Sequence, residues 1–412
     1  MWEKGADHAM QDIPTRSNQE ARTAMSRRDF IRGAAVIGTG AATLTTLAKN
    51  EALAQATAPA QTAPAPAAPA AKRLTYDEVM KVAREKLYPR CRVCPECDGW
   101  ACSGEVPGFG GVGSGASFRA NLTSLAKLHL QMRTFHDVKK PDLSLPLWGE
   151  KLSMPILSAA TGGTTYNMGG KMTEDEYINA ILGGCLEAGT LGMAADGIQD
   201  PLNVYETRLK AVSTYKGKAI AIIKPRPQQE ILQRIRLVEA SGALAVGVDI
   251  DSAGRAAMAL PGQTVEPKTP AQLKELVGAT KLPFIIKGIM TADEAEMARE
   301  TGAAAIVVSN HGGRVLDHTP GVAEVLPEIA RKVKGKMIVF ADGGIRYGAD
   351  VLKLLALGAD AVLVGRPLIR GAHGGGKEGV ALLLNKMKNE LIVSMTLTGT
   401  ASVQGVSPRI LA

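Results

Sequence analysis

Aromatic residues supply only 4% of this 412-residue chain, and no run of Lys and Arg has aromatics interleaved with it. Nucleic acid is therefore not an expected partner. No G-x-G-x-x-G fingerprint follows the first apolar run, which argues against a doubly wound dinucleotide-binding sheet. The uncharged, mildly apolar stretch Gly33 to Ala48 falls short of the roughly 20 residues a membrane span needs and is diluted by Gly and Thr. Histidine is scarce at six residues, and cysteine at five. The net charge of +8 is modest; it favours an acidic substrate or an acidic redox partner.

What is abundant is the short, continuously apolar run. Eight follow in order: Pro155–Ala160, Thr190–Ala195, Ala219–Lys224, Ala243–Ile250, Phe284–Ile289, Ala304–Asn310, Met337–Asp342 and Ala361–Gly365. They do not alternate, so they read as parallel strands covered on both faces. Amphipathic stretches separate most of them: Thr173–Glu187, Gln228–Ala240, Ala292–Thr301, Val322–Val333 and Ala349–Leu357. Eight strand-plus-helix units predict an α/β fold, a (β/α)₈ TIM barrel, with functional groups at the C-terminal strand ends.

Those ends carry chemistry. Lys287 lies near the end of the fifth run, and Ser309-Asn310-His311-Gly312-Gly313-Arg314 follows from the end of the sixth. Asp342-Gly343-Gly344-Ile345-Arg346 follows the seventh, and Gly365-Arg366-Pro367 the eighth. The last two occupy the usual barrel phosphate site, where glycine backbone and forked guanidiniums hold an anion. A phosphorylated cofactor is expected from this alone. His311 and Arg314 pair a base with a carboxylate clamp, as oxidation of a 2-hydroxy acid requires.

The block from Lys287 to Arg366 resembles the FMN-dependent 2-hydroxy acid oxidases and dehydrogenases, which include glycolate oxidase and lactate oxidase. The likeness runs through Leu282–Gly288, Ser309–Asp317, Asp342–Arg346 and Leu355–Asp360, and continues weakly from about Gly113 to Leu411. It implies that His311 is the base and that Arg314 binds the substrate carboxylate. Lys287 then stabilises the reduced flavin, and Asp249 orients the histidine. It further implies FMN contacts from Ala160, Thr161, Lys224, Lys287, Ser309, Gly312, Asp342, Gly343, Gly344, Arg346, Gly365 and Arg366. Homo-oligomerisation is expected on the same ground. His8, His129, His136, His318 and His373 are read as structural.

The front half departs from the family. Neither of its two substrate-contacting tyrosines is present: the matching segments read Val106–Gly111 and Ile222–Pro227. Arg255 stands where a second carboxylate-binding arginine is expected, and Lys224 and Arg226 offer further cations to flavin or substrate. Ser158–Gly163 resembles type 2 isopentenyl diphosphate isomerase, an FMN barrel without net oxidation, but that enzyme lacks the His-Gly-Gly-Arg segment. A non-catalytic flavin electron-transfer protein is the other alternative, and it would not need a carboxylate clamp beside a base.

Four of the five cysteines, Cys91, Cys94, Cys97 and Cys102, fall within twelve residues at C-x₂-C-x₂-C-x₄-C spacing. Thiolates this close can converge on an iron–sulfur cluster or a zinc ion; two disulfides or unligated thiols are the alternatives. A cluster would give the flavin an electron outlet. Cys185 is expected to be a buried small residue.

Ser26–Arg32, with Arg27 and Arg28, resembles a twin-arginine export signal, and Ala52-Leu53-Ala54 offers a cleavage site. Residues 1–54 are thus expected to be a signal region of a periplasmic protein, membrane-tethered if left uncleaved. Gln55–Ala71, almost wholly Ala, Pro, Thr and Gln, is expected to be a disordered linker. Residues 72–146 would form an introductory helix, the cysteine segment and a cap, and residues 147–412 the barrel. The electron acceptor, whether oxygen, a quinone or a redox protein, is open.

Overall fold

A computed structural model describes residues 74–258 and 264–412. The expected signal region and the whole of the expected linker lie outside the described residues. The chain enters the described region through helix α1 (Tyr76–Leu87), where Thr75 and Glu78 form a reciprocal capping box. Its Val79, Ala83 and Leu87, spaced four apart, are buried as one face.

The cysteine segment and helix α2 (Ala116–Ala126) come next, followed by a hairpin of β1 (Leu145–Leu147) and β2 (Glu150–Leu152). This hairpin spans the expected start of the barrel at residue 147. Leu147 and Leu152 plug the barrel interior, and Trp148 meets Phe340 edge-on at 6.1 Å.

Eight strands follow: β3 (Ile156–Ser158), β4 (Gly192–Ala195), β5 (Ala219–Ile223), β6 (Ala245–Asp249), β7 (Phe284–Ile289), β8 (Ala305–Val308), β9 (Ile338–Ala341) and β10 (Ala361–Val364). All pair in parallel, in the order β3-β10-β9-β8-β7-β6-β5-β4. The ring closes between β3 and β4 through the Ser158 N–H on the Leu191 carbonyl (3.2 Å), the Met193 N–H on Ser158 Oγ (2.9 Å) and a Thr161–Ala194 bridge. This is the expected (β/α)₈ barrel.

Two cores divide the strand residues by alternation. Ile220, Ile222, Ile285, Val307, Phe340 and Leu363 fill the interior, while Ala221, Ile223, Ile286 and Val308 pack against the helices. Both faces being buried explains the unbroken apolar runs.

The outer helices include α4 (Glu174–Glu187), α6 (Gln228–Ala240), α8 (Ala292–Glu300), α9 (Val322–Val333) and α10 (Gly348–Ala356), each close to its expected span. A short α3 (Thr164–Asn167) precedes α4. Three more helices escape the apolar pattern. The inward face of α5 (Leu202–Thr214) carries Arg208, 1% exposed and paired with Glu174 (2.7 Å) and Asp200 (2.6 Å). That buried charge breaks the apolar period. The short α7 (Pro270–Gly278) is set by the Thr269–Gln272 capping box. In α11 (Arg366–Thr398) glycines interrupt the pattern, and the helix kinks at Gly375–Gly376. No described helix is long and apolar enough to cross a membrane.

Candidate active site

The C-terminal strand ends enclose a cavity whose empty volume of about 1030 Å³ includes open solvent. Its walls carry Ala160 and Thr161 beyond β3, Lys224 beyond β5, Lys287 on β7, and His311, Gly312 and Arg314 beyond β8. They continue with Asp342, Gly343, Gly344 and Arg346 beyond β9, and Gly365 and Arg366 beyond β10. Arg255, from the 3₁₀ segment Ile250–Met258, joins them. Every strand-end residue proposed from the sequence as touching a ligand is thus gathered here, apart from three. Ser309 is fully buried behind the wall, where its hydroxyl donates to Asp342 Oδ2 (2.9 Å) and accepts the His311 N–H (3.0 Å). Asp249 is buried below the floor. Arg226 is turned into a buried pair with Asp196 (2.8 Å).

Asp249 is an electrostatic hub. Lys224 Nζ lies 2.6 Å from Oδ2, and Lys287 Nζ 2.8 Å from Oδ1; Ser252 also donates to Oδ2 at 3.1 Å. Against burial, the two ammoniums and then His311 hold the Asp249 carboxyl well below the usual carboxylate range. Burial pushes Lys224 down and opposes ionisation of Lys287, but Asp249 holds Lys287 above the usual lysine range. Asp249, Asp251 and His311 have ligand atoms within 4.8 Å of one another. The lysines already occupy both Asp249 oxygens, so the cluster suits an ion-pair network better than a metal.

His311 sits on that network. Its Nδ1 is 2.9 Å from Asp251 Oδ1 and 3.6 Å from Asp249 Oδ1. The resemblance assigned the orienting carboxylate to Asp249; here Asp251 makes the shorter contact, because the lysines engage Asp249. An ionised carboxylate only accepts, so Nδ1 carries the proton and Nε2 is the basic nitrogen. The backbone at His311 is left-handed (φ 58°), a conformation uncommon outside glycine, and Gly312 and Gly313 continue it. A Cβ on Gly313 would stand 2.3 Å from the Phe118 nitrogen, so α2 closes over a turn only glycine can make.

The front segment clamps this loop. Asp317 accepts the Ser114 N–H (2.5 Å), the Ser117 N–H (3.4 Å) and the His318 N–H (3.0 Å); Asn121 donates to Asn310 (2.8 Å). Burial opposes ionisation of Asp317, yet these donors, Ser114 foremost, bring its carboxyl down to about 2. Its stabilisation is present above the unfolded value near 3.8 and is lost as pH falls toward 2. Asp317→Asn should therefore lower the midpoint of chemical denaturation at pH 7 and progressively less below pH 3. An equal loss at both pH values would contradict this.

Cations crowd the same cavity. Arg314 donates to the Gly108 carbonyl and to Asn167 Oδ1 (3.0 Å). Burial, with Arg255 and Arg366 nearby, pushes the Arg314 guanidinium well below its usual range. Burial also depresses Arg255, and together with Arg346 brings Arg366 to about 10. A desolvated cluster of one sign favours an anionic ligand. Tyr166, on α3, lines the same cavity, and burial followed by Asp200 pushes its phenol up, so it stays neutral. The sequence reading found neither family tyrosine and missed this one. Its signal is the glycine pair Gly162-Gly163 just before it: a Cβ on Gly163 would strike the Tyr166 ring at 2.4 Å.

The residues present fit FMN. Asp342 Oδ1 and Arg346 Nε are buried and have no partner among the described residues. They offer an acceptor for a ribityl hydroxyl and a donor for a phosphate at the expected end of the barrel. Arg366 donates to the Phe109 (2.7 Å), Gly110 (3.2 Å) and Gly312 (3.1 Å) carbonyls and stacks 4.1 Å over Phe118. It holds the front segment against the phosphate end.

The model of the FMN-dependent dehydrogenase family matches residues 109–259 and 252–412. The 2-hydroxyacid oxidase 2 of Bos taurus is 32% identical over 318 residues, covering 70% of this chain and 87% of that protein. A 2-hydroxyacid oxidase of Dictyostelium discoideum reaches 50% identity over 139 residues, 34% of this chain and 36% of its own. The crystal structure of mandelate oxidase superposes with a TM-score of 0.66 at 27% identity, covering 82% of this chain and 97% of that one. These matches show that the chain, whose strand-end cavity is lined by a lysine, a histidine and an arginine of one loop, and a glycine–arginine turn, belongs to the FMN-dependent dehydrogenases, as a 2-hydroxy acid oxidoreductase.

Proposed function

We propose that this protein oxidises an (S)-2-hydroxy acid to the corresponding 2-oxo acid, with His311 as the base and Arg314, aided by Arg255, holding the carboxylate. The observation that carries this is one cavity lined both by His311, its Nδ1 anchored on Asp251, and by a buried group of arginines. FMN, when bound, supplies the two-electron acceptor. Arg314 and Arg255 fix the acid by its charge. Of the two protons that the oxidation releases, His311 Nε2 would take one and the other would leave with the two electrons to the acceptor, while Asp251 stabilises the imidazolium. Lys287, kept charged by Asp249, faces the cavity as a fixed cation for the negative charge that gathers on the reduced ring. Tyr166 adds a neutral phenol to the substrate wall.

Incubation with a panel of lactate, glycolate and larger 2-hydroxy acids in both enantiomers, followed by assay for the 2-oxo acid, tests this reading. Product from an S enantiomer is expected; no product from any of them, with FMN bound, would overturn it. Arg314→Ala should raise the KM for the acid by about 10- to 100-fold, matching the roughly 1.5–3 kcal/mol of a charge-assisted bond. An unchanged KM in steady-state assays would remove Arg314 from the carboxylate site.

Electrons then pass to oxygen or to a redox partner. The Ser26–Arg32 pattern supports export by the twin-arginine route to the periplasm, which carries proteins already folded around their cofactor. A homo-oligomer is proposed from the family resemblance.

A further inference from the structure

A second, smaller cavity adjoins the first. Cys91, Cys94, Cys97 and Cys102 all line it, together with Phe109 and Arg370. All four thiols are free, so the disulfide alternative is not the state of this structure. Among the described residues no three of their sulfurs come within 4.8 Å of one another. A tetrahedral zinc with bonds of about 2.3 Å draws its sulfurs to roughly 3.8 Å apart. A cubane iron–sulfur cluster, with iron between sulfur and centre, spreads them to roughly 6 Å. Four sulfurs around one cavity, no three of them as close as a zinc ion would draw them, leave the larger centre as the better fit of the two.

Charge points the same way. Arg370 Nη2 lies 3.1 Å from Cys97 Sγ and 3.7 Å from Cys91 Sγ, and Arg346 Nη2 lies 3.3 Å from Cys97 Sγ. Arg370 is 9% exposed, and its Nε is buried without a partner among the described residues. Guanidiniums aimed at sulfur need negative charge there, which a cluster bound by four thiolates carries. The site also reaches the flavin cavity: Phe109 lines both, and Arg346 lines one while touching the other. Cys94, Cys97 and Cys102 are partly exposed.

We propose that Cys91, Cys94, Cys97 and Cys102 hold a [4Fe–4S] cluster that carries electrons from the reduced flavin to a one-electron acceptor outside the protein. The two electrons taken from each hydroxy acid leave singly, the cluster cycling between its 2+ and 1+ states. Two acceptor molecules are reduced per turnover, and two protons return to water. The outlet rests on the oxidation proposed above; the cluster does not.

The test uses the full chain with bound FMN, purified without oxygen. Iron and acid-labile sulfide are measured, and the EPR spectrum is recorded after dithionite and, separately, after a 2-hydroxy acid. About four iron and four sulfide per chain are expected, with an S = 1/2 signal under both conditions. Cys97→Ala should lose the iron, while Cys185→Ala, in α4 and away from the site, should keep it. FMN content in each variant reports whether the barrel has folded. Stoichiometric zinc, or unmetallated thiols in the unaltered FMN-loaded chain, would overturn the cluster. If iron is present and the acid bleaches the flavin while the cluster stays oxidised, the outlet is overturned. If iron is present and the flavin does not bleach, the failure belongs to the substrate reading and the outlet falls with it.

Discussion

Replacing His311 by alanine is expected to slow anaerobic reduction of the flavin by a 2-hydroxy acid about 10²- to 10⁴-fold while leaving FMN bound. The factor is that of a positioned general base. FMN should remain because the FMN contacts assigned to the β9 and β10 ends, Asp342, Arg346 and Arg366, do not depend on the imidazole. Stopped-flow absorbance against substrate concentration separates the two effects. The limiting rate should fall while the substrate dissociation constant, set by Arg314 and Arg255, changes little. Asp251→Asn should show a milder form of the same defect, since it loosens the ring without removing the base. A limiting rate in the alanine variant within a few-fold of the original would take His311 out of the mechanism.

The second large effect is on stability. Asp249→Asn should cost about 3–5 kcal/mol, because it leaves Lys224 and Lys287 buried with no carboxylate between them. The pH dependence follows from the lowered Asp249 pKa. A depressed carboxyl stabilises the fold above its unfolded value near 3.8 and stops doing so only as pH falls through its much lower folded value. The gap between the two proteins should therefore be flat from pH 5 to 8 and close only in strong acid. Removing one lysine as well, in Asp249→Asn with Lys224→Met, should recover part of the loss. Denaturant titration with a gap below about 1 kcal/mol at pH 7 would contradict the hub.

The strands were legible because a barrel strand is apolar on both faces, and Pro155–Ala160 or Ala361–Gly365 has no other common use. His311, Arg314 and Lys287 were legible because each lies within a few residues of a strand end, where the barrel itself fixes direction. Residues reaching the site from longer loops were not. Tyr166 arrives on a short helix beyond β3, and Asn167 meets Arg314 only once the chain has folded. Asp251 and Asp249 are two residues apart on one strand end. Which of them meets the histidine depends on where two distant lysines reach, and no local pattern encodes that. Arg226 looked available for a ligand, yet Asp196 from the neighbouring strand end claims it. The buried Arg208 hid α5 for a similar reason: its partners Glu174 and Asp200 come from other segments.

The central claim is that a 2-hydroxy acid bound by Arg314 beside His311 delivers two electrons to FMN. An anaerobic visible spectrum of the FMN-loaded protein, recorded before and after adding lactate, glycolate and larger 2-hydroxy acids, tests it most directly. The account predicts that at least one of them bleaches the flavin band. A bound flavin that none of them reduces would contradict it.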